Sequence, residues 1–244
     1  PAERIRVTYN SVDTQRFHPA GGDDTQNAQH DITRLAALGL ASRGYLLTVG
    51  RLEPRKNHET LIRAYAQLPL DAPPLVIVGQ RDFTFDRIFT TIDELGLRSR
   101  IKLLDKVGDD TLPTLMRHAR LFAYPAFAEG FGMPVAEALA SGVPVITSHT
   151  TSLPEVAGDA ALYTRDPHDA DELAQLMRRV LGDEGMGDAI WYGHASVGCL
   201  HIRPTPTFSR FSSAFAASSI TRLVDGPSIE TGFSMKVCTP FSIA

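Results

Sequence analysis

Glu129 and Glu137 stand eight positions apart in AEGFGMPVAEALASG, residues 128–142, on either side of a glycine-bracketed turn. Pro134 suits the first turn of a helix, where its missing N–H costs nothing, and Gly142 suits the residue just past the end. The spacing therefore predicts a helix over about Met133 to Ala140, with Gly130, Phe131 and Gly132 at its N-terminus. Unpaired N–H groups and the positive end of the helix dipole attract an anion there. A carboxylate accepts paired hydrogen bonds from neighbouring sugar hydroxyls. With Glu129 in the loop and Glu137 about one turn into the helix, the ligand suggested is a nucleotide diphospho-sugar. Solvated surface charge is the competing reading, because glutamate is rarely buried.

The second constellation is Gly50-Arg51-Leu52-Glu53-Pro54-Arg55-Lys56-Asn57, directly after the apolar run YLLTV. Glycine at a strand end lets the backbone approach a ligand closely. Arg51 could grip a phosphate bidentately, and Lys56 would act as a movable point charge. A basic cluster ahead of a helix can equally be solvated. Its position carries more weight than its charge, because ligands of doubly wound sheets bind outside the carboxyl ends of the strands.

Short apolar runs alternate with amphipathic stretches from Arg4 to about Leu181. Candidate strands are Ile5 to Tyr9, Tyr45 to Val49, Leu75 to Val78, Ile101 to Leu104, Leu121 to Tyr124, Pro144 to Ile146 and Ala161 to Tyr163. Continuous runs such as LVIV are the pattern of strands buried on both faces. Candidate helices are Asn57 to Gln67, Phe85 to Leu95, Asp109 to Ala119, Pro134 to Ala140 and Asp169 to Leu181. Within the first, Leu61, Ile62, Tyr65 and Leu68 fall on one stripe. The polar, glycine-containing stretch Ala20 to Gln29 reads as a surface loop. The fold class is therefore α/β, a doubly wound, Rossmann-like parallel sheet with helices on both faces. Its crevice should receive both the Arg51–Lys56 turn and the Glu129 loop.

The chain has 244 residues, 43% of them hydrophobic, and a net charge of -4, so no basic field favours nucleic acid or an anionic membrane. No apolar run reaches the roughly 18 residues a membrane span needs, and the first residues, PAERIRV, have no apolar signal core. Membrane contact is expected to be peripheral at most. Cys199 and Cys238 show no C-x-x-C spacing, which points to a reducing cytoplasm. The eight histidines are scattered without ligand spacing, so no metal is expected. After about Glu184 the regular periodicity stops. Residues 185–244 read as an atypical tail, either poorly ordered or not the natural continuation of the fold, as a shift of reading frame would produce; the second is preferred.

GRLEPRKN after a strand, then LVIVG, then IKLLDKVGDDTLPTLMRHARLFAYPAFAEGFGMPVAEALASGVPVITS resembles the C-terminal, donor-binding domain of retaining GT-B glycosyltransferases of family 4. TYNSVDTQRFHP resembles that family's interdomain linker, with Ser11 in place of its usual glycine. The resemblance covers about Arg4 to Asp183. It implies a linker and first strand in residues 1–20 and a nucleotide-sugar-binding domain in 21–184. Carried over by position, Gly50, Arg51 and Lys56 would lie at the donor diphosphate, and Glu129 would hold hydroxyls of the transferred sugar. The backbone of Gly130, Phe131, Gly132 and Met133 would take the distal phosphate and sugar, and Glu137 the ribose. Val107 and Leu112 would cover the base, although ordinary packing explains them equally well. Arg51, Lys56 and Glu129 would then be the catalytic set.

The resemblance also implies retention by front-face attack, with the departing diphosphate accepting the acceptor's proton. Cationic side chains and a helix N-terminus can stabilise that leaving group without a divalent metal or other cofactor. Pro154-Glu155 is expected to be structural, and Tyr124 to be packed rather than chemical. A full enzyme of this family takes its acceptor site from an N-terminal domain, which this chain is expected to lack, so the chain alone should transfer poorly or not at all. The alternatives are a non-catalytic nucleotide-sugar-binding module and a sugar-nucleotide epimerase on the same fold. Donor base, donor sugar (GDP-mannose, UDP-glucose or UDP-N-acetylglucosamine) and acceptor stay open.

Overall fold

A computed structural model describes residues 9–20, 25–81 and 86–182. Six short strands form one parallel sheet: β1 (Leu46–Val49), β2 (Leu75–Val78), β3 (Ile101–Leu104), β4 (Leu121–Tyr124), β5 (Val145–Ser148) and β6 (Leu162–Thr164). Their spatial order is β3-β2-β1-β4-β5-β6. Chain direction across the sheet thus reverses between β1 and β4, where the loops leaving neighbouring strands diverge and open a crevice. Register runs from Leu46 opposite Leu75 on one side of β1 to Leu46 opposite Leu121 on the other.

Alternation along the strands supplies both cores. Leu47, Val76, Phe122 and Val145 point to one face, under α1 (Thr25–Ala37), α4 (Thr111–Arg117), α5 (Met133–Ala140) and α6 (Leu153–Ala157). Leu46, Leu75, Ile77, Leu121 and Ile146 point to the other, under α2 (His58–Ala66), α3 (Asp86–Glu94) and α7 (Ala170–Gly182). Central strands buried on both sides explain the uninterrupted apolar runs.

Six of the seven expected strands and all five expected helices form in order, with ends moved by a residue or two. The largest such shift is in α4, which covers Thr111–Arg117 rather than Asp109 to Ala119. One expectation is overturned. Ala20 to Gln29 is not a loop throughout, because α1 begins at Thr25 and continues to Ala37. Its buried face carries Asp31 beside Leu35, and an aspartate at a core position breaks the apolar stripe that would have revealed the helix. Asp31 is satisfied across the fold, by the Thr114 hydroxyl at 2.7 Å, Arg117 Nη1 at 3.0 Å and His118 Nε2 at 3.2 Å. Burial would raise its carboxyl, but these partners together hold it below the ordinary aspartate range. Most of the expected strand at Ile5 to Tyr9, Phe85 and the tail after Glu184 lie outside the described residues.

Candidate functional site

The turn after β1 brings its last cation inward. Pro54–Lys56 form a single 3-10 turn, and Asn57 closes it in the left-handed conformation at φ 57°, which asparagine tolerates. The buried Asn57 amide donates to the carbonyls of Pro125 at 2.9 Å and Pro167 at 2.6 Å, fastening this turn to the exit of β4 and to the loop before α7. His58, buried beside it, is pushed down to about 4 by desolvation. It therefore stays neutral, with Nε2 donating to the Arg51 carbonyl at 3.1 Å.

Beyond β4 the chain runs through Pro125 to Glu129 under a lattice of hydroxyls. Thr150 donates to the Ala126 carbonyl at 3.1 Å, and Ser152 donates to the carbonyls of Glu129 at 3.1 Å and Phe131 at 2.9 Å. The Glu129 amide donates to Thr151 Oγ1 at 2.9 Å. Gly132 then turns the chain into α5 with φ 98°, a value that disfavours any side chain; a Cβ there would also stand 2.7 Å from Leu153 Cδ2. The N–H groups of Gly130, Phe131 and Gly132 have no acceptor among the described residues. At the far end Gly142, φ 71°, follows the C-cap Ser141.

The two turns meet. Lys56 Nζ lies 2.5 Å from Glu129 Oε1, with side-chain exposures of 10% and 8%. The Tyr124 hydroxyl accepts from Lys56 Nζ at 2.8 Å and donates to Glu129 Oε1 at 2.8 Å. Arg55 Nη1 stands 3.3 Å from Glu129 Oε2 and donates to the Ala128 carbonyl at 2.9 Å, while Nη2 pairs with Glu53 at 2.7 Å. An ammonium and a carboxylate this well buried persist only when paired and hydrogen-bonded. Arg51, by contrast, is exposed, and its guanidinium has no partner among the described residues.

Glu137 is half-buried on α5, and desolvation pushes its carboxyl up to about 7, partly countered by Arg16. Arg16 comes from the segment before α1; its Nη2 donates to the Asp109 carbonyl at 2.9 Å, just ahead of α4. Val107 and Leu112 sit in the same neighbourhood, partly buried against the core. Between the ordinary value of 4.5 and about 7 the folded chain keeps a proton on Glu137 that the unfolded chain has lost. Stability from this group is therefore full below 4.5 and is lost as pH rises through about 7. Glu137→Gln is expected to remove that decline, worth about 1–3 kcal/mol after screening. Urea unfolding of both proteins at pH 5 and pH 8 checks it, and an equal decline in the two would contradict it.

Three contributors escaped the sequence reading. Tyr124 was expected only to pack, and it does, stacked on Phe122 at 5.8 Å, but its hydroxyl also joins the ion pair. Arg55 lay inside GRLEPRKN, yet its turn geometry could not be read from spacing. Arg16 acts on Glu137 across more than a hundred residues of chain, and no local signal marks it. Glu155 accepts a hydrogen bond from Tyr9.

Residues 37–191 match the family model for glycosyl transferases group 1. O-antigen chain mannosyltransferase B of Escherichia coli is 42% identical over 148 residues, covering 59% of this chain and 39% of that protein. The Anabaena protein HepE, solved in complex with UDP and glucose, superposes with a TM-score of 0.68 and 27% identity, covering 80% of this chain and 52% of that one. The C-terminal domain of a glycosyl transferase group 1 protein from Francisella tularensis shares the fold, with a TM-score of 0.62 and 20% identity over 74% of this chain and 92% of that domain. The chain thus spans less than half the length of the mannosyltransferase it matches. With a family match across more than half of its sequence, and the six-stranded sheet and crevice described above, this chain belongs to the glycosyl transferases group 1 family.

Proposed function

We propose that this chain is the donor-binding half of a retaining hexosyltransferase that draws its sugar from a nucleotide diphospho-sugar. The observation that carries the reading is the Lys56–Glu129 contact at 2.5 Å, which joins the two sequence constellations across the mouth of the switch point. A buried, paired ammonium beside the amides of Gly130 to Gly132 suits a diphosphate, and Arg51 is an exposed cation at the same strand end. Glu129 would take hydroxyls of the sugar and Glu137 those of the ribose, with Val107 and Leu112 beside the base. HepE, with UDP and glucose bound, supports a nucleotide and sugar in this fold, and the Escherichia coli relative supports a mannosyl donor.

In the reaction so read, the bond from the anomeric carbon to the phosphate oxygen breaks as the acceptor hydroxyl bonds to the same face. The proton of that hydroxyl passes to the departing diphosphate. Lys56, Arg51 and the α5 N-terminus stabilise the charge that develops there, so the reading calls for no metal. The acceptor would be held by a part of the enzyme that the matched stretch does not span.

Calorimetric titration with uridine, guanosine and adenosine diphosphates, in the presence of EDTA, tests the proposal. Binding of at least one of them, weakened about tenfold or more in Arg51→Ala and in Glu137→Ala, is the expected outcome. Unchanged binding in both variants would overturn the site.

A further inference from the structure

The triangle of Lys56 Nζ, Glu129 Oε1 and the Tyr124 hydroxyl raises a question of order, because all three groups already hold one another at 2.5–2.8 Å. Arg55 stands against the other carboxylate oxygen at 3.3 Å. Glu129 therefore has both oxygens engaged, and Lys56 has spent two of its three protons. A diphosphate arriving at Lys56 competes directly with Glu129 for the ammonium.

What stays behind is the buried phenol on Oε1, with the more exposed Arg55 on Oε2. Tyr124 is the last residue of β4 and is 1% exposed. Its ring stacks on Phe122, and its carbonyl accepts from the Thr147 hydroxyl at 2.8 Å. It cannot follow a moving cation as a lysine stem can. Burial and the neighbouring Glu129 carboxylate also raise its hydroxyl well above the ordinary tyrosine range, so it keeps the proton it donates.

We propose that Tyr124 is a positioning residue that holds the Glu129 carboxylate toward the sugar once a diphosphate has drawn Lys56 away, so that sugar recognition depends on this one buried hydroxyl. The inference rests on the reading of Lys56 as phosphate ligand and Glu129 as sugar ligand. It makes the two ends of the donor site interdependent: the phosphate releases Glu129 from the cation, and Tyr124 keeps it aimed. A tyrosine that served only as core would show no preference between a nucleotide and its sugar conjugate.

Tyr124→Phe removes the hydroxyl and leaves the ring. Dissociation constants are measured for UDP and UDP-glucose, and for GDP and GDP-mannose, on the wild-type chain, Tyr124→Phe, Glu129→Gln and the double variant. The ratio of sugar-nucleotide to nucleotide constants is expected to rise about tenfold in Tyr124→Phe, with the nucleotide alone changed by less than about threefold. In the Glu129→Gln background the same change is expected to shift the ratio by less than about twofold, because the phenol then has no carboxylate to aim. A ratio unchanged in Tyr124→Phe but raised in Glu129→Gln would overturn the role of Tyr124 alone. A ratio unchanged in Glu129→Gln as well would overturn the assignment of Glu129 to the sugar, and this inference with it.

Discussion

Lys56→Ala is expected to weaken nucleoside diphosphate binding by about 100-fold or more, the largest effect of any single change in the crevice. Two losses combine. The charge-assisted bond to phosphate goes, worth about 1.5–3 kcal/mol. The Glu129 carboxylate also remains, half neutralised by Arg55 alone, to repel the incoming anion from within a poorly solvated turn. Stability should fall too, because a buried carboxylate loses its closest partner. The double variant Lys56→Ala/Glu129→Gln separates the two consequences. It should regain thermal stability by removing the uncompensated charge, yet bind diphosphate no better than a chain with one cation fewer can. Titration and thermal melting of the three proteins together check this. Near-normal binding in Lys56→Ala would remove the ammonium from the phosphate site.

Gly79→Ala is expected to be the most damaging single change to the fold. Gly79 follows β2 directly, and a Cβ built on it would lie 1.8 Å from the Gly50 carbonyl oxygen and 2.7 Å from the Gly50 carbonyl carbon. Both are backbone atoms, held in place on each side: Gly50 N–H donates to the Val78 carbonyl at 2.9 Å and Gly79 N–H to the Leu104 carbonyl at 2.9 Å. No side chain can rotate away to make room. The adjoining ends of β1 and β2 must separate, at a cost of about 3–5 kcal/mol. For a domain of this size that is roughly a 10–15 °C fall in melting temperature, or no folded protein at all. Any folded fraction should also bind nucleotide poorly, since Gly50 leads straight into Arg51. A melting temperature within about 2 °C of wild type would contradict the close approach.

Most of the fold was legible because its signal is local and repeated. LVIV and LFAY are short apolar runs between amphipathic stretches, and a right-handed parallel sheet follows from that alternation. The helix at Met133–Ala140 was legible from one proline and one glycine. Helix α1 was not, since Asp31 occupies its buried face and the partners that make this tolerable, Thr114, Arg117 and His118, come from another element more than eighty residues on.

The site divides in the same way. Gly50, Lys56, Glu129 and Glu137 sit in compact motifs whose residue types carry their own chemistry. Arg16 and Glu137 share no window of sequence, and although Tyr124 stands five positions before Glu129, its hydroxyl gains its second partner, Lys56, only where the turns after β1 and β4 meet. Arg51 and Arg55 show the remaining ambiguity of a motif. Of two arginines four positions apart, one grips Glu129 and the other faces solvent, and only the turn at Pro54–Lys56 decides which.

The central claim, that the β1 and β4 turns with the α5 N-terminus form one donor site, is tested most directly by a diffraction structure of this chain with GDP-mannose or UDP-glucose bound. The account predicts phosphate oxygens within hydrogen-bond reach of Lys56 and the amides of Gly130 to Met133, ribose hydroxyls on Glu137, and sugar hydroxyls on Glu129 with Tyr124 still bonded to it. A donor seated elsewhere, with the Lys56–Glu129 pair intact and Glu137 untouched, would contradict it.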